Sequence, residues 1–380
     1  MHIAFNGWFW NQPHVGSGQY LRHLLPALRA VAPDLQMTLV LPDHIRTFDG
    51  LPPDVSIAHA PTRFKGHLGK VWFEQRAYPA VVRRVQADIA HVPYWGPPFN
   101  TKPARLVTSV LDIIPLTLPA YRGGVRAKLY TSMVAAAAQG SAHVLTLSEA
   151  SKTDIVERLH IPAEKVTVTY LAADERFHPK VGREGDEAVR RKYDLPDDFV
   201  LCVSGFDIRK NVNMLLLAWT YVGPSVGQQM PLVLAGRQPQ WGTPRFPDLP
   251  DYAKKLDIER FLMWLGEFDE ADKPALYRLA KAVVFPSRYE GFGLPPLEAM
   301  ACGTPVIACD VSSIPEVTGE AAYLVPPDDA RAMGAAILAV VVQDDLHQHL
   351  ANAGLGQASL FSWRKTAQRT LDVYQQVMEA

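Results

Sequence analysis

Cysteine is scarce in this sequence, and neither sign of charge is in excess. The 380 residues include three cysteines, Cys202, Cys302 and Cys309, which are too few for a disulfide framework and form no C-x-x-C pair. This usage indicates a reducing compartment, so we expect a cytoplasmic protein. Lys and Arg number 38 against 39 Asp and Glu, a net charge of −1. Because a dedicated nucleic-acid binder carries a strong basic excess, we predict no nucleic-acid partner.

Long apolar runs are also missing. The longest, residues 333–342, is far shorter than the roughly 20 residues that span a bilayer. The N-terminus shows neither the basic region nor the long apolar region of a signal peptide. Arg122, Arg126 and Lys128 form a small basic group. One interpretation is peripheral contact with lipid phosphates at the inner face of a membrane, and the other is a solvated helix face.

What the sequence does contain is a regular alternation of short, β-rich apolar runs with longer helical patterns. Such alternation predicts an α/β fold with parallel sheets and helices on both faces. In the first half, strands are predicted at residues 2–6, 37–41, 56–60, 88–92, 106–110, 143–147 and 166–170. In the second half they are predicted at residues 199–204, 232–235, 262–265, 283–286, 305–309 and 323–325.

A charged stretch divides the chain. Residues 179–197 are rich in charge and poor in large apolar side chains, as expected of a surface linker. A chain of 380 residues also suggests two domains. We therefore predict two Rossmann-like domains, residues 1–178 and 198–360. Such sheets bind ligands at the carboxyl ends of their strands, so we expect the site in the cleft between the domains.

The most informative stretch is residues 285–307, which predicts a strand, a glycine loop, a short helix and a second strand. Gly291 and Gly293 let the backbone approach a ligand just before a helix N-terminus, where N–H groups and the helix dipole favour phosphate. Glu290 and Glu298 are placed to face the same ligand. A carboxylate accepts from two hydroxyls at once, as ribose and hexose diols offer. The alternative is a turn with solvated acids.

The spacing Glu290-x7-Glu298 resembles the donor-binding signature of family 4 retaining glycosyltransferases, and the similarity extends over nearly the whole chain. Residues 204–211 are similar to that family's phosphate loop, and residues 234–236, 264–266 and 315–316 to further landmarks. The resemblance implies the GT-B architecture, two facing Rossmann-like domains with an interdomain cleft. It also implies that residues 361–380 form a helix crossing back to the N-terminal domain.

The activity that the resemblance implies is retaining, metal-independent transfer of a hexose, of the kind used in polysaccharide biosynthesis. The donor would be a nucleotide-diphosphate sugar, the acceptor a glycan or a lipid-linked sugar, and no cofactor would be needed. GDP-mannose is preferred to a UDP-sugar because the Arg209-Lys210-Asn211 loop is similar to that of mannosyltransferase-like members.

The resemblance also implies roles for single residues. Glu290 would hold donor-sugar hydroxyls, while Arg209 and Lys210 would stabilise the leaving diphosphate. An Arg-Lys pair is more often a solvated face, but directly after a strand it stands at a sheet's carboxyl edge, where it could neutralise a diphosphate. Glu298 would hold the ribose. The remaining donor-binding candidates are Gly16, Gly18, Gly205, Gly291, Phe292, Gly293 and Leu294.

Candidates on the acceptor side follow strands of the first domain. They are Trp8, Trp10, Trp95 and Asp112, with packing in the core as the alternative for the aromatic rings. In many relatives a histidine matches Leu111 and lies near the donor sugar, and leucine can form no such hydrogen bond. His91 could supply an imidazole or be a core histidine.

Metal-ligand patterns are missing as well. There is neither a His-x-x-x-His pattern nor a loop Asp-x-Asp, so we predict no metal site. Three other classes stay open. They are a GT-B sugar phosphorylase or nucleotide-sugar epimerase, a non-catalytic nucleotide-sugar binder and, more distantly, a dinucleotide-dependent dehydrogenase, although no G-x-G-x-x-G follows a strand. Ser148 and Asp329 are predicted helix caps.

Overall fold

The structure is a computed structural model that describes residues 1–12, 15–46, 48–121 and 123–380. The chain divides into two compact units. The N-terminal unit consists of residues 1–171 together with residues 362–380, and the C-terminal unit of residues 172–361.

Each unit contains one parallel sheet. Within its described residues, the N-terminal unit has the strands β1 His2–Asn6, β2 Gln36–Pro42, β3 Ser56–Ala60, β4 Ile89–Val92, β5 Arg105–Ser109, β6 His143–Thr146 and β7 Val166–Val168. The C-terminal unit has β8 Val200–Val203, β9 Leu232–Ala235, β10 Leu262–Gly266, β11 Ala282–Phe285, β12 Val306–Cys309 and β13 Ala322–Val325. The α/β prediction is confirmed. All predicted strands are present, and their ends shift by at most two residues.

Helices connect the strands along the whole chain. They are α1 Gly16–Val31, α2 Gly66–Trp72, α3 Tyr78–Arg84, α4 Ile114–Thr117, α5 Val125–Gln139, α6 Glu149–Leu159, α7 Asp186–Lys192, α8 Val212–Val226, α9 Leu249–Lys255, α10 Lys273–Leu279, α11 Leu294–Ala301, α12 Ile314–Thr318, α13 Ala330–Val342, α14 Asp344–Ser359 and α15 Trp363–Glu379. Ser148 and Asp329 cap α6 and α13 as predicted. None of the helices, in the part of the chain that the structure describes, has the length and apolarity to traverse a bilayer.

The central strands β8, β9, β11 and β12 are short continuous apolar runs because both faces of the sheet are covered there. In β11, Ala282 and Val284 pack into a core that includes Trp219 of α8. Val283 and Phe285 point to the opposite face and pack with Tyr277 of α10. A strand buried on both sides has no polar face, so its sequence does not alternate.

Strand order places the functional loops. The sheets run β3-β2-β1-β4-β5-β6-β7 and β10-β9-β8-β11-β12-β13, and all neighbouring strands pair in parallel. In both, the direction in which successive strands are added reverses at one point, between β1 and β4 and between β8 and β11. Doubly wound sheets bind ligands at the carboxyl ends of the strands at such a switch point.

The stretch predicted as a linker, residues 179–197, is structured. It contains α7 and belongs to the C-terminal unit, which begins at residue 172. Asp186 at the start of α7 is buried and accepts hydrogen bonds from Arg278 of α10, with Nη2 2.5 Å from Oδ1. The charges that suggested a solvated surface therefore include a buried ion pair that holds this segment in place.

The last helix belongs to the N-terminal unit. Ser362 accepts a hydrogen bond from the amide of Lys365 and caps α15. The ring of Trp363 stacks on His23 of α1, with centroids 4.8 Å apart. Residues 362–380 are therefore packed along the first helix of the chain.

Candidate functional site

Two loops at the switch point of the second sheet bring the predicted site residues together. Residues 204–211 follow β8, and residues 286–293 follow the neighbouring strand β11. Arg209 and Lys210 come from the first loop and Glu290 from the second, so the fold joins Lys210 and Glu290 although they are 80 positions apart in the chain.

Asn211 ties the two loops to each other. It is fully buried, with the positive φ of 54° that asparagine tolerates. Its Nδ2 donates to the carbonyls of Pro286 at 3.0 Å and Pro327 at 2.9 Å. Its Oδ1 accepts from Arg288 Nε at 3.0 Å. The amide of Arg288 also donates to the Arg209 carbonyl. These hydrogen bonds therefore fix the position of the loop that carries Arg209 and Lys210.

Glu290 forms an ion pair with both cations. Arg209 Nη1 lies 2.6 Å from Oε2, and Lys210 Nζ lies 2.6 Å from Oε1. The three side chains are only 14–16% exposed. Burial alone would raise the pKa of Glu290, but Lys210 and Arg209 outweigh it and hold this pKa at about 2. We call Arg209, Lys210 and Glu290 the Glu290 cluster. A second carboxylate lies beside it, with Asp207 Oδ1 3.8 Å from Arg209 Nε.

The Glu290 loop is fixed by two serines that the sequence analysis missed. Ser312 Oγ accepts from the Glu290 amide at 2.9 Å. The hydroxyl of the buried Ser313 lies 2.9 Å from the Glu290 carbonyl and 2.5 Å from the Phe292 carbonyl. These serines precede residues 315–316, which the sequence analysis did single out, so a signal was present in the neighbouring positions.

The loop ends at Gly293, which has a φ of +114° and begins α11. This conformation is strained for any residue with a Cβ, so glycine is required here. Pro295 and Pro296 occupy the first turn of α11 and have no N–H. The helix end therefore offers an anion the amides of Gly293 and Leu294.

Glu298 has a different environment from the predicted one. It is 4% exposed, and its Oε2 lies 2.8 Å from Lys273 Nζ and 3.2 Å from the hydroxyl of Tyr277. Burial raises the pKa of Glu298, although Lys273 opposes the shift. A ribose bound here would share this carboxylate with Lys273, a partner that the sequence analysis did not find because it lies on another helix.

The predicted glycines differ in how much space a side chain would have at each position. A Cβ on Gly18 would lie 2.2 Å from the Gln12 carbonyl, so glycine is needed for α1 to pack against the preceding loop. A Cβ on Gly16 would meet no described atom within 4 Å. A Cβ on Gly205 would come 3.3 Å from Asp207 Oδ2. Gly16 thus leaves open space at the carboxyl edge of its sheet, whereas a side chain at position 205 would crowd the Asp207 carboxylate.

One acceptor-side prediction is wrong. Trp10 is fully buried, and the guanidinium of Arg22 lies 4.8 Å above its ring, so this ring cannot stack on a sugar. Trp8 is half-buried and packs 5.3 Å from Phe73. Trp95 is also half-buried, against the core. These two rings keep some exposed surface.

Two polar candidates in the N-terminal unit have local partners. Asp112 accepts a hydrogen bond from the Ile114 amide at 3.1 Å, as the start of a helical turn requires. His91 is buried between the hydroxyls of Tyr374, at 2.5 Å, and Ser109, at 2.8 Å. Burial lowers the pKa of His91 to about 3, so it is a neutral core histidine.

Comparison with known proteins identifies the family. Residues 186–356 match the family described as "Glycosyl transferases group 1", and residues 15–177 match "Glycosyltransferase Family 4". The O-antigen chain mannosyltransferase B of Escherichia coli is 33% identical over 285 residues, which cover 74% of this chain and 73% of that protein. The chain belongs to glycosyltransferase family 4. The predicted family is thus confirmed, and the protein is a glycosyltransferase.

A further relative and a solved structure are also similar to this chain. The serotype-specific mannosyltransferase WbdA of Escherichia coli is 28% identical over 286 residues, 74% of this glycosyltransferase but 35% of WbdA, so the chain spans about a third of that relative. The crystal structure of Anabaena HepE in complex with UDP-glucose superposes with a TM-score of 0.74 at 17% identity, covering 99% of this chain and 100% of HepE. The glycosyltransferase shares the GT-B fold of its structural neighbours.

Proposed function

We propose that this glycosyltransferase transfers mannose from GDP-mannose to a glycan or lipid-linked acceptor, with retention of configuration and without a metal ion. The observation that carries the proposal is the Glu290 cluster, in which a carboxylate and two fixed cations meet at the carboxyl edge of a doubly wound sheet. A nucleotide-diphosphate sugar presents the matching groups, hydroxyls for the carboxylate and phosphates for the cations.

The cations would stabilise the charge that grows on the leaving diphosphate. Lys210 uses one of its three N–H donors on Glu290 and keeps two for phosphate oxygens. The amides of Gly293 and Leu294 would add donors from the α11 N-terminus. Because these groups are held before the reaction starts, they need no reorganisation as the bond breaks. Gly205 and Gly291 would let the backbone approach the diphosphate, and Phe292 would line the same loop.

Glu290 would hold hydroxyls of the transferred sugar. With a pKa of about 2 it accepts hydrogen bonds at every physiological pH, and it is too weak a base to deprotonate an acceptor. We therefore propose front-face attack. The bond from the sugar C1 to phosphate breaks, the bond from C1 to the acceptor oxygen forms on the same face, and the acceptor proton passes to the leaving phosphate.

Mannose is proposed from the relatives, and guanosine from the resemblance of the Arg209-Lys210-Asn211 loop to mannosyltransferase-like members. Two of them are named mannosyltransferases, whereas the HepE structure contains UDP-glucose. Leu111 of the N-terminal unit has no group that can hydrogen-bond a sugar hydroxyl. The choice of donor sugar would then depend mainly on Glu290 and the C-terminal unit. Glu298 and Lys273 would bind the ribose.

A donor screen tests this proposal. GDP, UDP and ADP are compared by thermal shift, and a ligand at 100 times its Kd stabilises by about 2.7 kcal/mol. We expect GDP to raise the Tm most and GDP-mannose to give a glycoside without added phosphate. A requirement for inorganic phosphate would indicate a phosphorylase, and an isomerised sugar without acceptor an epimerase. Binding of the nucleotide sugar without turnover on a broad acceptor panel would indicate a non-catalytic binder.

Metal removal should leave activity intact. In the proposed complex Arg209, Lys210 and the N-terminus of α11 would face the diphosphate, so these groups would stabilise its charge without a bridging divalent ion. We expect the initial rate measured with EDTA in excess over trace metal to match the rate measured without EDTA. Loss of activity that Mg²⁺ or Mn²⁺ restores would contradict the electrostatic account.

We also propose that the N-terminal unit contacts the inner face of an anionic membrane. Leu68 of α2 is 69% exposed, and Val125 and Leu129 of α5 are 84% and 73% exposed. The two helices touch through the rings of His67 and Tyr130, 4.9 Å apart. Residues 113–148 contain no Asp or Glu. Their basic residues are Arg126, Lys128 and Arg122, the last of which lies outside the described residues.

Vesicle binding checks the membrane contact. The double variant K128E/L129E should bind vesicles of phosphatidylglycerol and phosphatidylcholine at least about fivefold more weakly, because each basic residue near such a surface contributes about 1 kcal/mol. Pure phosphatidylcholine should bind weakly throughout. V342E, at a 63% exposed residue of the C-terminal unit, is the matched control and should bind normally. Equal binding by wild type and K128E/L129E would refute the proposed contact.

A further inference from the structure

A second charged cluster lies in the N-terminal unit and takes no part in the proposed donor site. Lys70 Nζ is 2.5 Å from Glu74 Oε1 and 2.6 Å from the hydroxyl of Tyr130. That hydroxyl is also 3.0 Å from Glu74 Oε2. The ammonium lies 4.9–5.7 Å from the ring centroids of Phe9, Tyr94 and Tyr130. We call Lys70, Glu74 and Tyr130 the Lys70 cluster.

The cluster stands at the switch point of the first sheet. Tyr94 follows β4, and its hydroxyl donates to Asn6 Oδ1, at the end of β1, at 3.2 Å. Ligand sites of doubly wound sheets form at this point. Glu74 lies on the π-helical segment Phe73–Ala77, which interrupts the helix between α2 and α3. Such interruptions occur frequently at functional sites.

Stability does not explain the cluster. Glu74 has no exposed surface, and Lys70 keeps 17% of its side chain exposed. Burial raises the pKa of Glu74, which Lys70 opposes only in part. Hydrophobic residues of similar volume commonly match or exceed the stability that a buried ion pair provides. A charged pair at this position therefore points to a use other than stability.

Two donors in and beside the cluster lack a described acceptor. Asn6 Oδ1 accepts from the Trp8 amide at 3.1 Å and from Tyr94, which fixes the amide orientation. Asn6 Nδ2 is buried and has no partner among the described residues. An ammonium has three donors, and Lys70 has two hydrogen-bond acceptors in the described part of the chain. A buried donor without an acceptor is unfavourable, so a ligand oxygen here would be favourable.

We propose that Lys70 and Tyr130 bind hydroxyls of the acceptor sugar, with Glu74 and Asn6 as the residues that position them. This inference rests on the proposed glycosyl transfer and names the acceptor chemistry. The Lys70 charge is balanced by Glu74, so the cluster favours neutral hydroxyls over phosphate. Lys70 would donate to a sugar hydroxyl, and the Tyr130 oxygen would accept from one, because its own proton goes to Glu74. The rings of Phe9, Tyr94 and Tyr130 provide apolar surface beside these groups, as the C–H faces of a sugar require.

Direct binding of α-linked mannotriose, measured by NMR titration without donor, tests the proposal independently of the donor site. Y130F removes one hydroxyl and should weaken mannotriose binding about 3- to 10-fold, the usual effect of one hydrogen bond. GDP binding should be unchanged, and the Tm should fall modestly because the Tyr130 hydroxyl also bonds Lys70 and the buried Glu74. Y78F is the matched control, because the buried Tyr78 hydroxyl donates to the Ala4 carbonyl at 2.8 Å. It should lower the Tm and leave the mannotriose Kd unchanged.

A second variant keeps the proposal testable if Y130F does not fold. K70M/E74Q removes both charges together, so neither is left buried and unpaired, and it should weaken mannotriose binding at least about 10-fold. Unchanged mannotriose affinity in a folded Y130F or K70M/E74Q overturns the proposal. The absence of mannotriose binding by the wild type, or tighter binding of inorganic phosphate that K70M/E74Q abolishes, overturns it as well. These measurements use no donor, so their interpretation does not depend on the outcome of the donor screen.

Discussion

Glu290→Gln lowers the rate of sugar transfer at least about 10²-fold at saturating acceptor. The neutral amide lacks the negative charge with which the carboxylate accepts hydrogen bonds from two hydroxyls. It also loses the ion pairs that hold Arg209 and Lys210 at 2.6 Å from the Glu290 oxygens. Losing one preorganised electrostatic contact typically costs about 10²–10³ in rate. The measurement is the steady-state kcat from GDP-mannose, with GDP affinity determined in parallel.

Glutamine is chosen over alanine because Glu290 is mostly buried. Removing one partner from a buried ion pair can cost about 3–5 kcal/mol, so the alanine variant would confuse loss of fold with loss of chemistry. Glu290 has a lowered pKa of about 2 in the folded protein. Its stabilising contribution is therefore complete above the ordinary carboxyl pKa of about 4.3 and is lost as the pH falls through 2. Between pH 6 and 9 the wild-type to Gln ratio of kcat should stay constant.

The matched control for Glu290→Gln is Glu267→Gln. Glu267 is 74% exposed in the same unit and lies 3.9 Å from Arg237, an exposed pair of little energetic value. It should leave kcat and the Tm unchanged. Wild-type turnover by a folded Glu290→Gln variant would remove Glu290 from the donor site.

Arg209→Ala and Lys210→Ala should act on the diphosphate and leave the nucleoside untouched. Each variant removes a fixed cation, so GDP should bind much more weakly while guanosine binds as before, and kcat should fall about 10²–10³-fold. Removing one cation leaves Glu290 with the other. The single variants should therefore keep their fold. Calorimetric titration with GDP and with guanosine separates the two affinities.

Arg237→Ala provides the control for the cation variants, because Arg237 is 82% exposed in the same unit. We expect normal GDP affinity from it. If Arg209→Ala and Lys210→Ala also bind GDP normally, the leaving-group role of the two cations is wrong.

The fold was predictable from sequence because its signals are local. Each strand of the second sheet is a continuous apolar run, such as Val306–Cys309, and such runs are bounded by charged or turn residues. The glycine loop before α11 was also local, since Glu290, Gly291 and Gly293 are neighbours in the chain. The Glu290 cluster becomes predictable only once the strand order is known, because that order places the ends of β8 and β11 side by side.

Contacts between distant helices were not predictable in this way. Lys273 reaches Glu298 from α10, and Asp186 reaches Arg278 from a segment that read as a linker. The pairing of Lys70 with Glu74 was a local signal, since an (i, i+4) pair is common on helices, but its burial was not. Whether a charged side chain is buried depends on which face of its helix packs against the rest of the unit. The charged residue itself does not indicate which face that is.

The most direct test of the account is the stereochemistry of one transfer. GDP-mannose labelled with ¹³C at C1 is incubated with α-mannotriose and the wild-type enzyme in EDTA, and the new anomeric signal is followed by NMR. The account predicts an α-linked product formed from the α-linked donor, lost in Glu290→Gln and kept in Glu267→Gln. A β-linked product, or an α-linked product formed equally well by Glu290→Gln, would contradict it.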